Sequence, residues 1–201
     1  MSPNPTGARL RGYWVTLAGP TEDGAFAAGP AFGRVHEDML LEAPLSLAGY
    51  RQPHVLPAIA LVVGDLPPHA TPGLARTAVA GIFAAVELAD GGPGRDGRRA
   101  RGEMAEDPRP ASFLYGETLL PDSTFEEELR LTQDGRFLAA FRVADLGDPG
   151  ALLAWLATAV GGLRAGQVAF LCAPAGPAAP TGSTLMMAGS RGSVLIARIG
   201  E

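Results

Sequence analysis

The sequence contains no lysine, because all 16 of its basic residues are arginine. Catalytic Schiff bases, pyridoxal-phosphate anchors and P-loops depend on lysine, so these chemistries are excluded. Only one cysteine is present, Cys172, and it cannot form an intramolecular disulfide. The three histidines lack the spacing of metal ligands, such as a pair one helical turn apart.

Long hydrophobic runs and basic stripes are absent as well. The longest apolar stretches, near residues 55–63 and 78–86, are about half as long as the ~20 residues that cross a bilayer. The first residues lack the basic and apolar blocks of a signal peptide. Acidic residues outnumber basic ones by 21 to 16, which argues against binding to nucleic acid. We expect a cytoplasmic protein that binds neither membranes nor nucleic acid.

The composition favours one domain, since 47% of the 201 residues are hydrophobic and can supply one core. Residues 1–11 are rich in Pro, Gly and polar side chains and predict a flexible tail, which leaves 12–201 as the domain. Residues 91–110 combine Gly, Pro and charge without apolar periodicity. They predict a mobile loop, either a surface excursion or a lid over a pocket.

Local patterns predict the main elements. Aromatic and β-branched residues predict a strand at 12–18, and an apolar run predicts a buried strand at 54–63. Thr71-Pro72 is typical of a helix start, and we expect a helix from there to about residue 85. Shorter strands are expected at 34–41 and 86–88.

The second half of the chain carries the clearest signals. Asp134-Gly135 separates two strand-like runs and predicts a tight hairpin. Asp148-Pro149 predicts the start of a helix over 150–160, and two more strands are expected near 167–171 and 193–199. Many strands with two main helices spaced apart predict an α+β fold in which a mixed sheet forms a sandwich or roll.

Several segments in collinear order resemble the 2-hydroxypentadienoate hydratase and fumarylacetoacetate hydrolase-like superfamily. The resemblance runs from Gly12 onward and implies that superfamily's α+β fold, without the helical segment of about 50 residues that precedes this point in full-length hydratases. It also implies association into homo-oligomers, or into a hetero-complex with an active homologue. The segments that carry it are 52–63, 85–90, the Asp134-Gly135 hairpin, Ala154-Trp155-Leu156, 163–166 and Gly192-Ser193-Val194.

The departures from the superfamily pattern fall on its catalytic positions. Two metal-binding glutamates of a Glu-x-Glu strand correspond to Leu56 and Ala58, whereas the third metal-binding position keeps an acid, Glu87. The superfamily's lysine corresponds to Trp14, and its catalytic aspartate corresponds to Ala31. The resemblance therefore implies a largely apolar pocket with no magnesium, manganese or other cofactor.

The remaining polar residues have open roles. Glu87 is either an acid–base catalyst or a hydrogen-bonded relic of the metal site. His36 either faces the pocket or belongs to a surface charge cluster, and His54 either lines the pocket or is structural. Cys172 stands where the superfamily has a Ser-Gly pair and is either pocket-lining or a small buried hydrophobe. Trp14 could stack on a flat or conjugated ligand.

Two functions compete. The first is a repurposed metal-independent enzyme, such as a lyase, isomerase or cyclase of secondary metabolism, acting on an apolar, conjugated or dicarbonyl substrate. Its catalytic residue would be Glu87, and the substrate-binding residues would be Trp14, Ala31, His36, His54, Leu56, Ala58 and Cys172. The alternative is a non-catalytic homologue that serves as a subunit or a ligand-binding protein.

Overall fold

The computed structural model describes residues 8–17, 30–47, 50, 52–90, 111–173, 176, 184–190 and 192–200. The predicted loop at 91–110 and most of the predicted N-terminal tail lie outside these residues. Strand β1 begins at Leu10, so the last two residues of the predicted tail belong to a strand.

The described chain is dominated by β-strands. The strands are β1 (Leu10–Leu17), β2 (Pro30–His36), β3 (Leu45–Ser46), β4 (Pro53–Val63), β5 (Val79–Asp90), β6 (Ser112–Leu119), β7 (Glu128–Gln133), β8 (Arg136–Arg142), β9 (Val168–Cys172), β10 (Thr184–Gly189) and β11 (Gly192–Gly200). The helices are α1 (Pro72–Thr77) and α2 (Pro149–Val160), with single 3₁₀ turns at Glu37–Met39, Asp122–Glu126 and Val143–Leu146.

The strands form two mixed sheets. The larger sheet has the order β2-β1-β9-β4-β5-β6, and the smaller has the order β3-β11-β10-β7-β8. In the larger sheet β1 runs parallel to β9, while the other neighbours are antiparallel. The predicted α+β architecture with a mixed sheet sandwich is therefore confirmed.

The helix predicted from residue 72 to about 85 is wrong over most of its length. Helix α1 ends at Thr77, and β5 occupies Val79–Asp90. β5 pairs with β4 almost from end to end, and its residues alternate between two buried faces. An apolar run that is buried on both faces looks the same in sequence as a buried helix, so periodicity could not separate them.

Other local predictions are confirmed. Asp134 and Gly135 have φ angles of 47° and 78° and join β7 to β8 in the tight hairpin turn. Helix α2 begins where Asp148 accepts a hydrogen bond from the Ala151 amide at 2.7 Å, and it ends at Gly161 in the left-handed region. Strands β3, β6 and β10 were not predicted.

A stretch that includes α2 is apolar enough to resemble a membrane span. Val143–Val160 has a mean hydropathy of 1.2 over 18 residues, but 50% of it is buried inside the domain. Leu152, Leu153 and Leu156 pack into the main core together with residues of both sheets. The stretch therefore has the burial of a core helix.

Strand alternation divides the buried residues into two clusters. The first face of the larger sheet contributes Ile59, Leu61 and Val86 to the main core between the two sheets and α2. The opposite side, called the second face below, carries a smaller cluster of Val35, Ala58, Ala60, Ala85, Phe113, Val168, Phe170 and Cys172. Residues two apart on a strand share a face, so the candidate site residues on even positions of β4 lie on the second face.

Candidate functional site

The centre of the second face lies where β9, β4 and β5 run side by side. Leu56 is the direct cross-strand partner of Glu87, and Ala58 is the partner of both Ala85 and Cys172. Directly opposed residues in an antiparallel pair have Cβ atoms about 4.5–5.5 Å apart. The structure therefore brings together four of the residues singled out in the sequence: Leu56, Ala58, Glu87 and Cys172.

Glu87 is buried completely, with 0% of its surface exposed. Its neighbours on β5, Val86 and Leu88, point to the opposite face and join the main core. Burial of a carboxyl group among apolar side chains costs free energy that a surface glutamate does not pay. Glu87 thus places an ionisable carboxyl group in the middle of an apolar sheet face.

The side chains around Glu87 do not fit a divalent metal ion. Magnesium and manganese need several oxygen ligands, usually with more than one carboxylate. The two positions beside Glu87 are Leu56 and Ala58, whose side chains carry no donor atoms. Within the part of the chain that the structure describes, no group of three His, Cys, Asp or Glu side chains is arranged to hold a metal.

Trp14 and Ala31 lie on the second face but nearer its β2 edge. Trp14 packs against the second-face cluster, and its indole ring lies across Gly33, its partner on β2, where a Cβ atom would collide with the ring. Ala31 pairs with Thr16, and Thr16 in turn pairs with Cys172. In the strand order of the sheet, Trp14 on β1 and Ala31 on β2 are therefore three and four strands away from Glu87 on β5.

The two histidines occupy different ends of the sheet. His54 lies two residues before Leu56 on β4 and pairs with Ala89 of β5. Its Nδ1 is 3.0 Å from the carbonyl oxygen of Gln52. His36 pairs with Leu10, at the far end of β1. At roughly 3.3 Å per residue, this position is about 20 Å or more along the sheet from Glu87. The structure places His54 near the site and His36 at the far end of the sheet from it, and the substrate-binding role of His36 stays a prediction.

Two polar residues of the second face were not identified from the sequence. Tyr115 on β6 pairs with Ala85 and is therefore a diagonal neighbour of Glu87, within reach for a side chain of its length. Thr16 is 2% exposed beside Cys172, and its hydroxyl donates to the carbonyl oxygen of Leu17 at 3.2 Å. Both lie on strands whose pairing is set by the fold, and no local motif marks them.

Aromatic rings pack around the small residues of the site. Phe113 and Phe170 lie with ring centroids 4.7 Å apart, and Tyr115 lies 6.0 Å from Phe170. These rings share a cluster with Ala58 and Ala85. The face around Glu87 is thus lined by flat apolar surfaces, with the Tyr115 hydroxyl and the Cys172 thiol as nearby polar groups.

Comparisons with known proteins identify solved structures with the same architecture. No protein-family model matches the sequence, and no curated protein matches it. The 4-oxalocrotonate decarboxylase from Pseudomonas putida G7, complexed with calcium and acetate, superposes with a TM-score of 0.76 at 17% identity, covering 96% of this chain and 79% of that one. The fumarylpyruvate hydrolase from Pseudomonas aeruginosa, in complex with Mn²⁺ and pyruvate, gives 0.73 at 16% identity, covering 96% and 90%.

A third solved structure extends the range of activities. The 2-hydroxyhepta-2,4-diene-1,7-dioate isomerase from Mycobacterium marinum has a TM-score of 0.71 at 17% identity, covering 96% of this chain and 76% of that chain. The three proteins are a decarboxylase, a hydrolase and an isomerase on one fold. At these identities the likeness concerns the fold, and the chemistry must be argued from the site itself.

Proposed function

Because the chain has the fold of the fumarylacetoacetate hydrolase-like superfamily, we propose that it is a metal-independent enzyme of the lyase, isomerase or cyclase type. Glu87 is its acid–base residue, and its substrate is apolar and conjugated or carries two carbonyl groups. The names of the solved structures that share the fold, a decarboxylase, a hydrolase and an isomerase, support an enzyme.

The observation that carries the proposal is the complete burial of Glu87 on a sheet face that is otherwise apolar. Among the described residues Glu87 is the only buried carboxyl group, so a proton transferred at this site is transferred by Glu87. The Tyr115 hydroxyl, diagonally across the strand pair, can donate a hydrogen bond to a substrate carbonyl.

An isomerisation needs no more than these two groups. The carboxylate of Glu87 takes a proton from the carbon next to a carbonyl, and the electron pair left behind forms an enolate whose oxygen faces Tyr115. The acid form of Glu87 then returns the proton to another carbon of the conjugated chain. No atom is gained or lost and no metal is required.

The surroundings of Glu87 favour a substrate without a second charge. The buried rings of Phe113 and Phe170 and the side chains of Leu56 and Ala58 make these surroundings apolar. A carboxylate of the substrate would stay unpaired beside them, which costs free energy. Secondary metabolism is the proposed setting, and the cytoplasmic location and homo-oligomeric state remain predictions.

The test measures proton exchange on a simple probe. Benzoylacetone, an apolar aromatic 1,3-diketone, exchanges the protons between its carbonyl groups with D₂O, and NMR follows the rate with and without protein. We expect the protein to accelerate exchange, and Glu87→Gln to reduce the acceleration by about 10²–10⁴-fold, the usual contribution of a general acid–base group. The Gln side chain keeps the volume, so packing changes little.

The matched control is Glu117→Gln, because Glu117 is exposed on the adjacent strand β6. It should exchange the probe at the wild-type rate, and urea unfolding should show that both variants are folded. Full acceleration by Glu87→Gln would overturn the role of Glu87. If the wild-type protein binds the probe but does not accelerate its proton exchange, the result would favour the second candidate function, a non-catalytic homologue.

The second candidate is a non-catalytic homologue that acts as a subunit, of a homo-oligomer or of a hetero-complex with an active enzyme, or as a ligand-binding protein. The observation that favours it is the close packing of Phe113 and Phe170 beside the alanines of β4 and β5. If these rings fill the space that the ancestral ligands held, Glu87→Gln should change stability and leave no activity to lose.

A further inference from the structure

A cavity of about 540 Å³ lies on the side of β1 away from Glu87. It opens between the start of β1 and the turn that follows α2, with Leu10, Val160 and the Tyr13 ring as apolar walls. Tyr13 belongs to the main core and so lies on the first face of the sheet. The volume is within the usual range for pockets that bind small molecules, roughly 300–1,000 Å³.

The polar part of the cavity wall is cationic. Arg9, Arg11 and Arg164 line it. Arg11 lies 3.7 Å from Glu37 in an exposed ion pair, which is worth little in water. Arg9 and Arg164 form no ion pair with any residue that the structure describes. Two carboxylates lie nearby, Glu37 and Asp65, and the Oδ1 of Asp65 accepts a hydrogen bond from the Ala165 amide at 3.0 Å. The three guanidinium groups around the cavity outnumber them and attract an anion.

Tyr13 adds a hydrogen-bond donor to this cationic wall. Its side chain is only 7% exposed, yet its hydroxyl makes no hydrogen bond to another described residue. Among the described residues this hydroxyl oxygen is not sealed from solvent, so it can donate a hydrogen bond to a molecule in the cavity that the ring lines. Burial raises the pKa of Tyr13 above its ordinary value, while the nearby charges of Arg34 and Arg164 act in the opposite direction.

Backbone amides around the cavity already donate hydrogen bonds within the protein. The Gly162 amide donates to the Ala157 carbonyl, and the Arg164 amide donates to the Gln167 side chain at 2.8 Å. Recognition of a ligand therefore has to come from side chains. The C-terminal end of α2 borders the cavity with its carbonyl groups, so some of the arginine charge also offsets the helix dipole.

We propose that this cavity binds a small molecule with an apolar body and an oxyanion head group, a carboxylate or a phosphate. Arg164 and Arg11 contact the head group as charged donors, Tyr13 donates a hydrogen bond to it, and Leu10 and Val160 contact the body. Arginine suits this role because its planar fork matches both head groups in a bidentate geometry. The site is separate from Glu87, which lies on the opposite face of the sheet.

Binding is tested by two-dimensional NMR with four probes: benzoate, its neutral isostere benzamide, phenyl phosphate and inorganic phosphate. We expect saturable shifts of the amides in residues 161–167 with benzoate or phenyl phosphate, and none with benzamide. The stronger of the two aromatic anions identifies the head group as carboxylate or phosphate. Saturation by inorganic phosphate alone, without either aromatic anion, would overturn the apolar part of the site.

Variants connect the binding to the proposed residues. Arg164→Gln should weaken the better probe by about tenfold or more, and Tyr13→Phe by a few fold, as loss of a charged and of a neutral hydrogen bond would. Arg136→Gln, on exposed β8 of the other sheet, is the matched control and should bind as the wild type. Absence of saturable binding by any anion, equal binding of benzamide, or unchanged affinity in both cavity variants would overturn the proposal.

Discussion

Trp14 and Gly33 show how tightly single positions on the second face are constrained. The Trp14 indole occupies the space in which a Cβ atom of residue 33 would lie. We predict that Gly33→Ala displaces the ring and destabilises the protein by about 1–3 kcal/mol, as overpacking usually does. Fluorescence in a Trp155→Phe background, which leaves Trp14 as the only tryptophan, should report the displacement.

The control for this change is Gly73→Ala in α1, where an added Cβ meets nothing within 4 Å. That substitution should leave the emission unchanged and the stability equal or slightly higher, because alanine favours a helix over glycine. Unaltered Trp14 emission in Gly33→Ala would show that the ring does not depend on the glycine.

Because Tyr13 is buried, we predict that the protein loses stability at alkaline pH. Its pKa in the folded protein is raised above the ordinary value of 10.0, mainly by burial. Folding therefore favours the neutral phenol, so this stabilising contribution is complete below about pH 10 and is lost as the pH rises through the raised folded value. Tyr13→Phe should lose less stability between about pH 9 and about pH 11 than the wild type does.

Because the chain contains no lysine, few other groups titrate in the pH range of this measurement. In the alkaline range only tyrosines, the single cysteine and the chain terminus titrate, since arginine stays charged. Urea unfolding at a series of pH values measures the difference, and Tyr50→Phe serves as a control for the loss of a tyrosine elsewhere. An identical pH dependence in wild type and Tyr13→Phe would contradict the prediction.

Helix α2 depends on its N-cap. The Asp148 carboxylate accepts the Ala151 amide at 2.7 Å and lies 3.5 Å from Arg76 of α1. We predict that Asp148→Ala lowers the free energy of unfolding by about 1 kcal/mol, the usual value of such a cap. The exposed ion pair adds little.

A parallel change at α1 provides the comparison. Thr71 caps α1 through a longer bond of 3.3 Å to the Leu74 amide, and α1 has only six residues. Thr71→Ala should cost less than Asp148→Ala in the same urea titration. A larger loss at Thr71 would mean that α1, and not α2, limits the stability of this region.

For the molecule as a whole, stability should not depend on a divalent metal. With Leu56 and Ala58 beside it, Glu87 is the only buried carboxyl group among the described residues, and a structural ion adds to stability only when it binds the folded state. We predict less than stoichiometric magnesium or manganese by elemental analysis after dialysis, and an unchanged Tm after treatment with a chelator. One tightly held ion per chain would contradict this.

Local sequence determined those elements whose backbone conformation depends on a few neighbouring residues. Asp134-Gly135 specifies the hairpin because its turn needs positive φ angles, and Asp148-Pro149 specifies the start of α2 because a cap and a fixed φ act within one turn. The apolar run at 54–63 also predicted β4 almost to the residue. Local sequence could not decide between helix and strand for residues 78–85, since both of their faces are buried.

Tertiary structure decided which residues meet. Glu87 lies beside Leu56 because β4 and β5 pair in one register, and a shift by one residue would turn every side chain to the other face. The pairing of β5 with β6 brings Tyr115 to the site, and the pairing of β1 with β9 places Thr16 beside Cys172. The pairing of β1 with β2 places His36 at the far end of the sheet. Local sequence patterns encode none of these pairings. The cationic cavity joins Arg11 to Arg164 across most of the chain. Only the packing of β1 against the turn after α2 places these charges together.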